Sequence, residues 1–181
     1  MIKDISPEIG EEIQSLLLKL ARRSKPLEHY VLLEEAGHSG PCKTEDGYIY
    51  CAYEMADSST ASFRGKLRDR PAVKPGFLFT VLSSHLLGFA AAFSGRPLKS
   101  LPVREPDFST PLGKKFHEEL SDIAVQLQEH RRRLLAASST EEKELEAHQV
   151  ERLEKSVNRE TVRFFGLTKR EVKLLKSVME Y

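Results

Sequence analysis

Apolar residues between Pro7 and Arg23 fall at Ile9, Ile13, Leu16, Leu17 and Leu20, the spacing of one apolar face on an α-helix. Ser6 is placed to cap that helix, Pro7 and Glu8 suit its first turn, Arg22 and Arg23 its last, and Pro26 stops it. The pattern then changes. Tyr30-Val31-Leu32-Leu33 and Tyr48-Ile49-Tyr50-Cys51-Ala52-Tyr53 are short β-prone runs, with a loop at Gly37-His38-Ser39-Gly40-Pro41 and a turn at Glu45-Asp46-Gly47. They predict a small antiparallel element over residues 30–53. Residues 57–74 read as a polar, basic loop. The nineteen residues from Gly76 to Ser94 carry no formal charge and predict a buried apolar helix over 76–93. Their length approaches that of a membrane span, but Thr80, Ser83, Ser84 and His85 occupy the middle, where insertion costs most, so no membrane partner is expected.

Two prolines, Pro102 and Pro106, mark residues 98–108 as an extended connector. Beyond it Phe116, Leu120, Ile123, Leu127, His130 and Leu134 recur in steps of three and four, an a/d seam. Ser138-Ser139-Thr140 breaks the run, and a second helix, with Thr140 as its expected N-cap, carries Leu145, Val150, Leu153, Val157, Thr161 and Phe164 on one face. Two long helices with so short a link predict an antiparallel hairpin. Gly166 ends the second helix, and Thr168-Lys169-Arg170-Glu171 opens a short third one with a capping box. The fold class expected is mostly α (α+β): an N-terminal helix, a small antiparallel β element, a buried apolar helix, and a C-terminal hairpin with a third helix. The organisation expected is a recognition-like region over residues 1–110 and a helical hairpin unit over 111–181.

Charge adds a second layer. The 181 residues carry a net +1, but residues 1–60 hold −5, residues 61–104 hold +7 and residues 105–181 hold −1. A partner meets the local field, and a +7 block suits a phosphate-bearing surface, while a solvated basic loop is the plainer reading of the same residues. Two cysteines are too few for a disulfide framework, and the first eight residues lack the basic and apolar regions of a signal peptide. A cytoplasmic location is expected.

No catalytic constellation emerges. The chain has no Gly-rich phosphate loop, no strand–GxGxxG–helix fingerprint and no His-Glu-x-x-His helix. His29, His38, Cys42 and Cys51 lack zinc-ligand spacing. Asp107 with Glu141 and Lys143 matches a nuclease set on paper, but the Glu-x-Lys pair lies in a helix start rich in both residues. His117, His130 and His148 read as hairpin residues. No metal or cofactor is expected.

Three segments in order, Leu82-Ser83-Ser84-His85-Leu86, the connector Leu101-Pro102-Val103-Arg104-Glu105-Pro106-Asp107-Phe108, and Phe164-Phe165-Gly166-Leu167-Thr168-Lys169-Arg170-Glu171-Val172, flank and close the hairpin. In this order they resemble the TaqI-like C-terminal specificity domain of adenine-specific DNA methyltransferases from restriction-modification systems, over residues 77–181. Ser83 departs from the asparagine usual there. The Asn-Pro-Pro-Tyr or Asp-Pro-Pro-Tyr tetrapeptide and the cofactor-binding glycine motif are missing, so catalysis by this chain alone is not implied. The resemblance implies the target-recognition end of such an enzyme, as a specificity subunit or C-terminal fragment, with duplex DNA and a methyltransferase or restriction catalytic subunit as partners.

On that reading Arg64, Arg68, Arg70, Lys74, Arg96 and Lys99 are the DNA-binding candidates, chiefly as phosphate contacts, with Arg64 and Arg68 the candidates for base readout. The competing reading is a helical-hairpin protein that assembles through its a/d seam and touches no nucleic acid.

Overall fold

The computed structural model describes residues 6–35, 41–55, 59–68 and 73–179. Helix α1 spans Pro7–Ala21; the Ser6 side chain accepts a hydrogen bond from the Ile9 amide, and Ile13, Leu16 and Leu20 are buried. Strand β1 (Ser24–Pro26) then pairs antiparallel with β6 (Pro102–Arg104), Ser24 facing Arg104, so the proline-bearing connector closes against the end of α1. A single 3₁₀ turn, Leu27–His29, leads into β2 (Val31–Glu35).

β2, β3 (Lys43–Glu45), β4 (Tyr48–Glu54) and β5 (Thr60–Leu67) form a four-stranded antiparallel sheet in the order β2-β5-β4-β3. The β3–β4 turn has the expected residues, with Asp46 at φ 51° and Gly47 at φ 79°, as a tight hairpin requires. β5 corrects the loop expected over 57–74. It is an interior strand, pairing with both β2 and β4. Phe63, Gly65 and Leu67 face the core while Arg64 and Lys66 face outward, a period of two that the small and charged residues disguise. Gly65 admits the close approach of β2: a Cβ there would lie 3.0 Å from the Val31 Cβ.

The uncharged segment forms two helices, α2 (Pro75–Leu82) and α3 (His85–Phe93), bent by 60° at Ser83-Ser84. This corrects the single helix expected over 76–93. The Ser84 hydroxyl accepts from the Leu87 amide as N-cap of α3 and donates to Val81 O at 2.6 Å, while Ser83 Oγ donates to Phe79 O. The serines thereby satisfy the backbone groups that the break frees. Among the described residues no single helix is long and apolar enough to cross a membrane, and this bent pair is packed inside the fold, with Phe77, Phe79, Val81, Leu82, Leu87 and Phe89 fully buried. Thr80 is buried too, its hydroxyl donating to Leu120 O at 2.6 Å.

Helices α4 (Pro111–Ala136) and α5 (Thr140–Phe165) pack as the antiparallel hairpin, followed by α6 (Lys169–Met179). The cap of α5 is Ser139, one residue before the expected Thr140. Ser139 N donates to the Glu142 carboxylate and Glu142 N donates back to Ser139 Oγ at 3.1 Å, a complete capping box. Gly166, at φ 67°, terminates α5 in the left-handed conformation, and Thr168 and Glu171 cap α6.

One hydrophobic cluster joins all six helices with β2, β4, β5 and β6. Phe77 lies edge-on to Phe164 with ring centres 5.6 Å apart, so the apolar helices and the hairpin share a core. The seam is closed at its body end by Leu120, Ala124 and Leu127 against Leu153, Val157 and Thr161. Between Leu127 and Leu153 no side chain is buried, so the outer half of the hairpin stands clear of the core. Leu145, expected on the seam, is 60% exposed, and Leu135 is 89% exposed. His117 is buried on α4, where its Nε2 accepts a hydrogen bond from the Lys74 amide at 3.0 Å. That bond requires the neutral ring, and burial holds its pKa below the usual 6.5.

Leu127→Ala is therefore expected to destabilise the protein by about 2–5 kcal/mol, whereas Leu135→Ala should change stability by no more than about 0.5 kcal/mol; urea unfolding midpoints give both values. The His117 contribution has a definite sign. A folded-state pKa below the unfolded one adds stability that is complete above pH 6.5 and is lost as the pH falls towards the folded value. His85, also lowered by burial, acts in the same direction. In His117→Gln the decline in melting temperature between pH 7 and pH 5.5 should be shallower than in the parent, the remainder belonging to His85.

Candidate nucleic-acid interface

Alternation along the four-stranded sheet separates two faces. Val31, Ile49, Cys51, Tyr53 and Phe63 point into the core, and Leu32, Glu34, Lys43, Glu45, Tyr48, Tyr50, Arg64 and Lys66 lie on the other face. Among the described residues no layer covers that second face: Leu32 is 48% exposed, Lys43, Glu45 and Lys66 are exposed, and the two tyrosines are half-buried.

Register places these side chains in rows. Arg64 lies across from Glu34 on one side and Tyr50 on the other, and Lys66 lies between Leu32 and Tyr48. The Arg64 guanidinium stacks on the Tyr48 ring at 3.7 Å from its centre and approaches Glu34 at 3.2 Å. Lys43 lies 4.9 Å from the centre of the Tyr50 ring and pairs with Glu45 at 2.7 Å. Lys66 forms no ion pair with a described carboxylate. Just past the strand, Arg68 N donates to Tyr30 O and its Nε donates to Glu28 O at 3.0 Å. Arg64 and Lys66 are thus two cations at alternate residues on a strand whose open face also carries two tyrosines, with Arg68 just beyond the strand end. Such a surface offers charge for phosphates, with the tyrosine rings holding the Arg64 and Lys43 cations in place.

The remaining sequence candidates are placed differently. Arg70 lies outside the described residues. Lys74 caps α2 and its ammonium pairs with Glu118 on α4 at 2.5 Å. Arg96 lines a cleft of about 270 Å³ with Gln14, Ser24, Lys25 and Ser100, between the ends of α1 and α3. Lys99 is exposed on the 3₁₀ turn Leu98–Ser100, which packs on the turn Leu27–His29. The +7 block is therefore divided: Arg64 and Arg68 share the sheet, Lys74 is tied to the hairpin, and Arg96 and Lys99 belong to the β1–β6 side. Lys66 and the two tyrosines were not singled out from the sequence. Their signal is the two-residue period, visible only once 60–67 is recognised as a strand.

Other chemistry is accounted for by packing. Asp107 accepts from Ser109 N and Oγ at 3.0 and 2.5 Å at the foot of α4, whereas Glu141 and Lys143 open α5 at the far end, roughly 40 Å of helix away. Those three residues form no site. Cys42 and Cys51 are buried free thiols, His38 lies outside the described residues, and no group of three or more His, Cys, Asp or Glu among the described residues is arranged to hold a metal. His130 bridges the hairpin, its Nδ1 2.6 Å from Glu146. A second polar cluster lies where α3, α5 and the sheet meet: Arg131 donates to Cys42 O and to Glu154, both at 2.8 Å, and Asn158 Oδ1 accepts from the His85 amide. Its hydrogen bonds join separate elements, which is a structural task.

No protein-family model matches this chain, and neither a curated protein nor a solved structure matches it.

Proposed function

We propose that the chain is a DNA target-recognition module of a restriction-modification adenine methyltransferase, cytoplasmic and without catalytic activity of its own. The observation that carries this reading is the pair Arg64 and Lys66 on an open sheet face that also presents Tyr48 and Tyr50, with Arg68 following at the strand end. The cations neutralise phosphates and fix orientation, while the flat face supplies the surface against which a duplex is held. Arg64, already committed to Glu34 and Tyr48, is the preorganised member; Lys66 is the freer one, and Arg68 is steadied by its Nε bond to Glu28 O. The resemblance of residues 77–181 supplies the methyltransferase context and a catalytic subunit as partner. The outer half of the hairpin, with no buried side chain, is the natural place for that subunit to dock.

Exposed Leu135 and Leu145 support a second reading, assembly through the hairpin with no nucleic acid involved. Salt separates the two. Association through apolar side chains is little affected by ionic strength, whereas each phosphate contact contributes about −0.9 to the slope of log K against log salt.

Fluorescence anisotropy with a labelled duplex, titrated between 50 and 200 mM salt, should show binding that weakens steeply with salt. Lys66→Ala with Arg68→Ala should flatten the slope by up to about two units and weaken all sequences alike. Absence of duplex binding at low salt, or a slope unchanged by the double substitution, would refute the proposal.

A further inference from the structure

The two cysteines of the chain stand on facing strands of the β3–β4 hairpin. Lys43 lies across from Tyr50, Thr44 from Ile49 and Glu45 from Tyr48. Cys42 directly precedes Lys43 and Cys51 directly follows Tyr50, so the next rung of this ladder sets the two cysteines opposite each other. The two-residue turn Asp46-Gly47 decides what kind of rung it is. Glu45 and Tyr48, which flank the turn, form a hydrogen-bonded pair, and the two kinds of pair alternate from there. Lys43–Tyr50 is then hydrogen-bonded, whereas Thr44–Ile49 and Cys42–Cys51 are of the other kind. In such a pair the opposed Cα atoms are about 4.5 Å apart and the side chains are closest. That separation falls within the range of about 4.4–6.8 Å that a disulfide spans.

Side-chain and backbone contacts agree with that placement. On a rung without its own hydrogen bonds, the backbone groups of β3 turn away from β4. Cys42 O does so, accepting from Arg131 Nη1 on α4 at 2.8 Å. Both thiols also lie on the core side of the hairpin. Thr44, one rung nearer the turn, bonds Gln128 on α4, and Cys42 Sγ donates to Leu82 O at 3.8 Å. The same carbonyl accepts the Tyr53 hydroxyl at 2.9 Å, and Tyr53 is the next core-side residue after Cys51 on β4. Leu82 O thus marks one spot reached from both strands. Burial first, and then the neighbouring Cys42 thiol, raise the Cys51 pKa well above its ordinary value. The two cysteines differ in access. Cys42 lines a cavity of about 300 Å³ with Ser83, His85, Arg131 and Asn158, whereas Cys51 has no exposed surface.

We propose that Cys42 and Cys51 form an oxidation site that a hydroperoxide converts to a cross-strand disulfide, tying the edge strand β3 to β4. The Cys42 sulfur, reached through the cavity, attacks one peroxide oxygen. The O–O bond breaks, and the thiol proton leaves with the departing oxygen, as water when the oxidant is hydrogen peroxide, giving a Cys42 sulfenic acid. The Cys51 sulfur then attacks the Cys42 sulfur; the S–O bond breaks, and the Cys51 proton leaves with that oxygen as water. The two thiols together lose two electrons, which the peroxide gains. A dithiol reductant reverses the bond by exchange. The site lies beneath the sheet, on the side away from Arg64 and Lys66, and does not depend on the nucleic-acid reading.

The test treats the reduced full chain with hydrogen peroxide under native conditions, then alkylates the remaining thiols in denaturant. Intact mass should show a monomer lacking two hydrogen atoms and carrying no alkyl group. Lys43 lets trypsin part the two cysteines, so peptide mapping should find them in one disulfide-linked pair. The oxidised chain should melt on the order of 5 °C above the reduced one, and dithiothreitol should reverse the shift. In Cys51→Ala the same treatment should leave a Cys42 sulfenic acid that dimedone captures, with no rise in melting temperature. Both thiols alkylated in the oxidised parent, a disulfide between two chains, or Cys42 carried on to sulfinic acid beside a free Cys51 overturns the proposal. A cross-link that fails to raise the melting temperature, or no dimedone adduct in Cys51→Ala, overturns it as well.

Discussion

The fold depends on burying a segment that has no face for water. Residues 76–94 carry no charge, and as one straight helix they would present phenylalanines and leucines in every direction. Surrounding such a helix on all sides takes more partners than a chain of 181 residues readily provides. The 60° bend at Ser83-Ser84 answers this by splitting it into two short cylinders. α2 packs chiefly on α4, while α3 reaches β4, α5 and α6. The neighbouring elements are amphipathic and direct their apolar sides towards this pair, which is why one hydrophobic cluster extends from Ile13 to Leu175.

That constraint also explains which elements could be read in advance. α1, α5 and α6 have an apolar side and a polar side, and their periodicity and caps are visible in the residues themselves. The bend was hidden because both arms are uniformly apolar, so no change of period marks the junction; only the serines do. β5 was hidden for the opposite reason. Phe63 is its single large buried side chain, its inward Gly65 is invisible to a hydropathy pattern, and its outward residues are charged. The β1–β6 pair, three residues a side, is fixed by tertiary closure and leaves little local signal. Leu145 shows the limit of periodicity from another direction, since it keeps the seam's spacing beyond the point where the hairpin has a body to pack against.

The candidate sites were legible in composition and illegible in arrangement. A count of charges finds the block at 61–104, but the pleat decides which of its members act together. It joins Arg64 to Lys66 and leads on to Arg68, while the start of α2 sends Lys74 to Glu118. Arg104 belongs to the same block by sequence, yet it lies across from Ser24, eighty residues earlier, in a strand pair that the sequence hardly announces.

Polar surface is distributed by the same logic. The core closes on one side of the sheet and at the body end of the hairpin, leaving the far side of each without apolar work to do. On the outer hairpin, charges are spent locally: Arg132 and Arg133 both grip Glu129, and Lys155 holds Glu151 one turn away. Exposed pairs of this kind contribute little to stability. The open sheet face differs, because its cations Lys43, Arg64 and Lys66 meet only Glu34 and Glu45 among the described carboxylates. A surface that leaves Lys66 without an acidic partner among the described residues is suited to meeting negative charge from outside the chain.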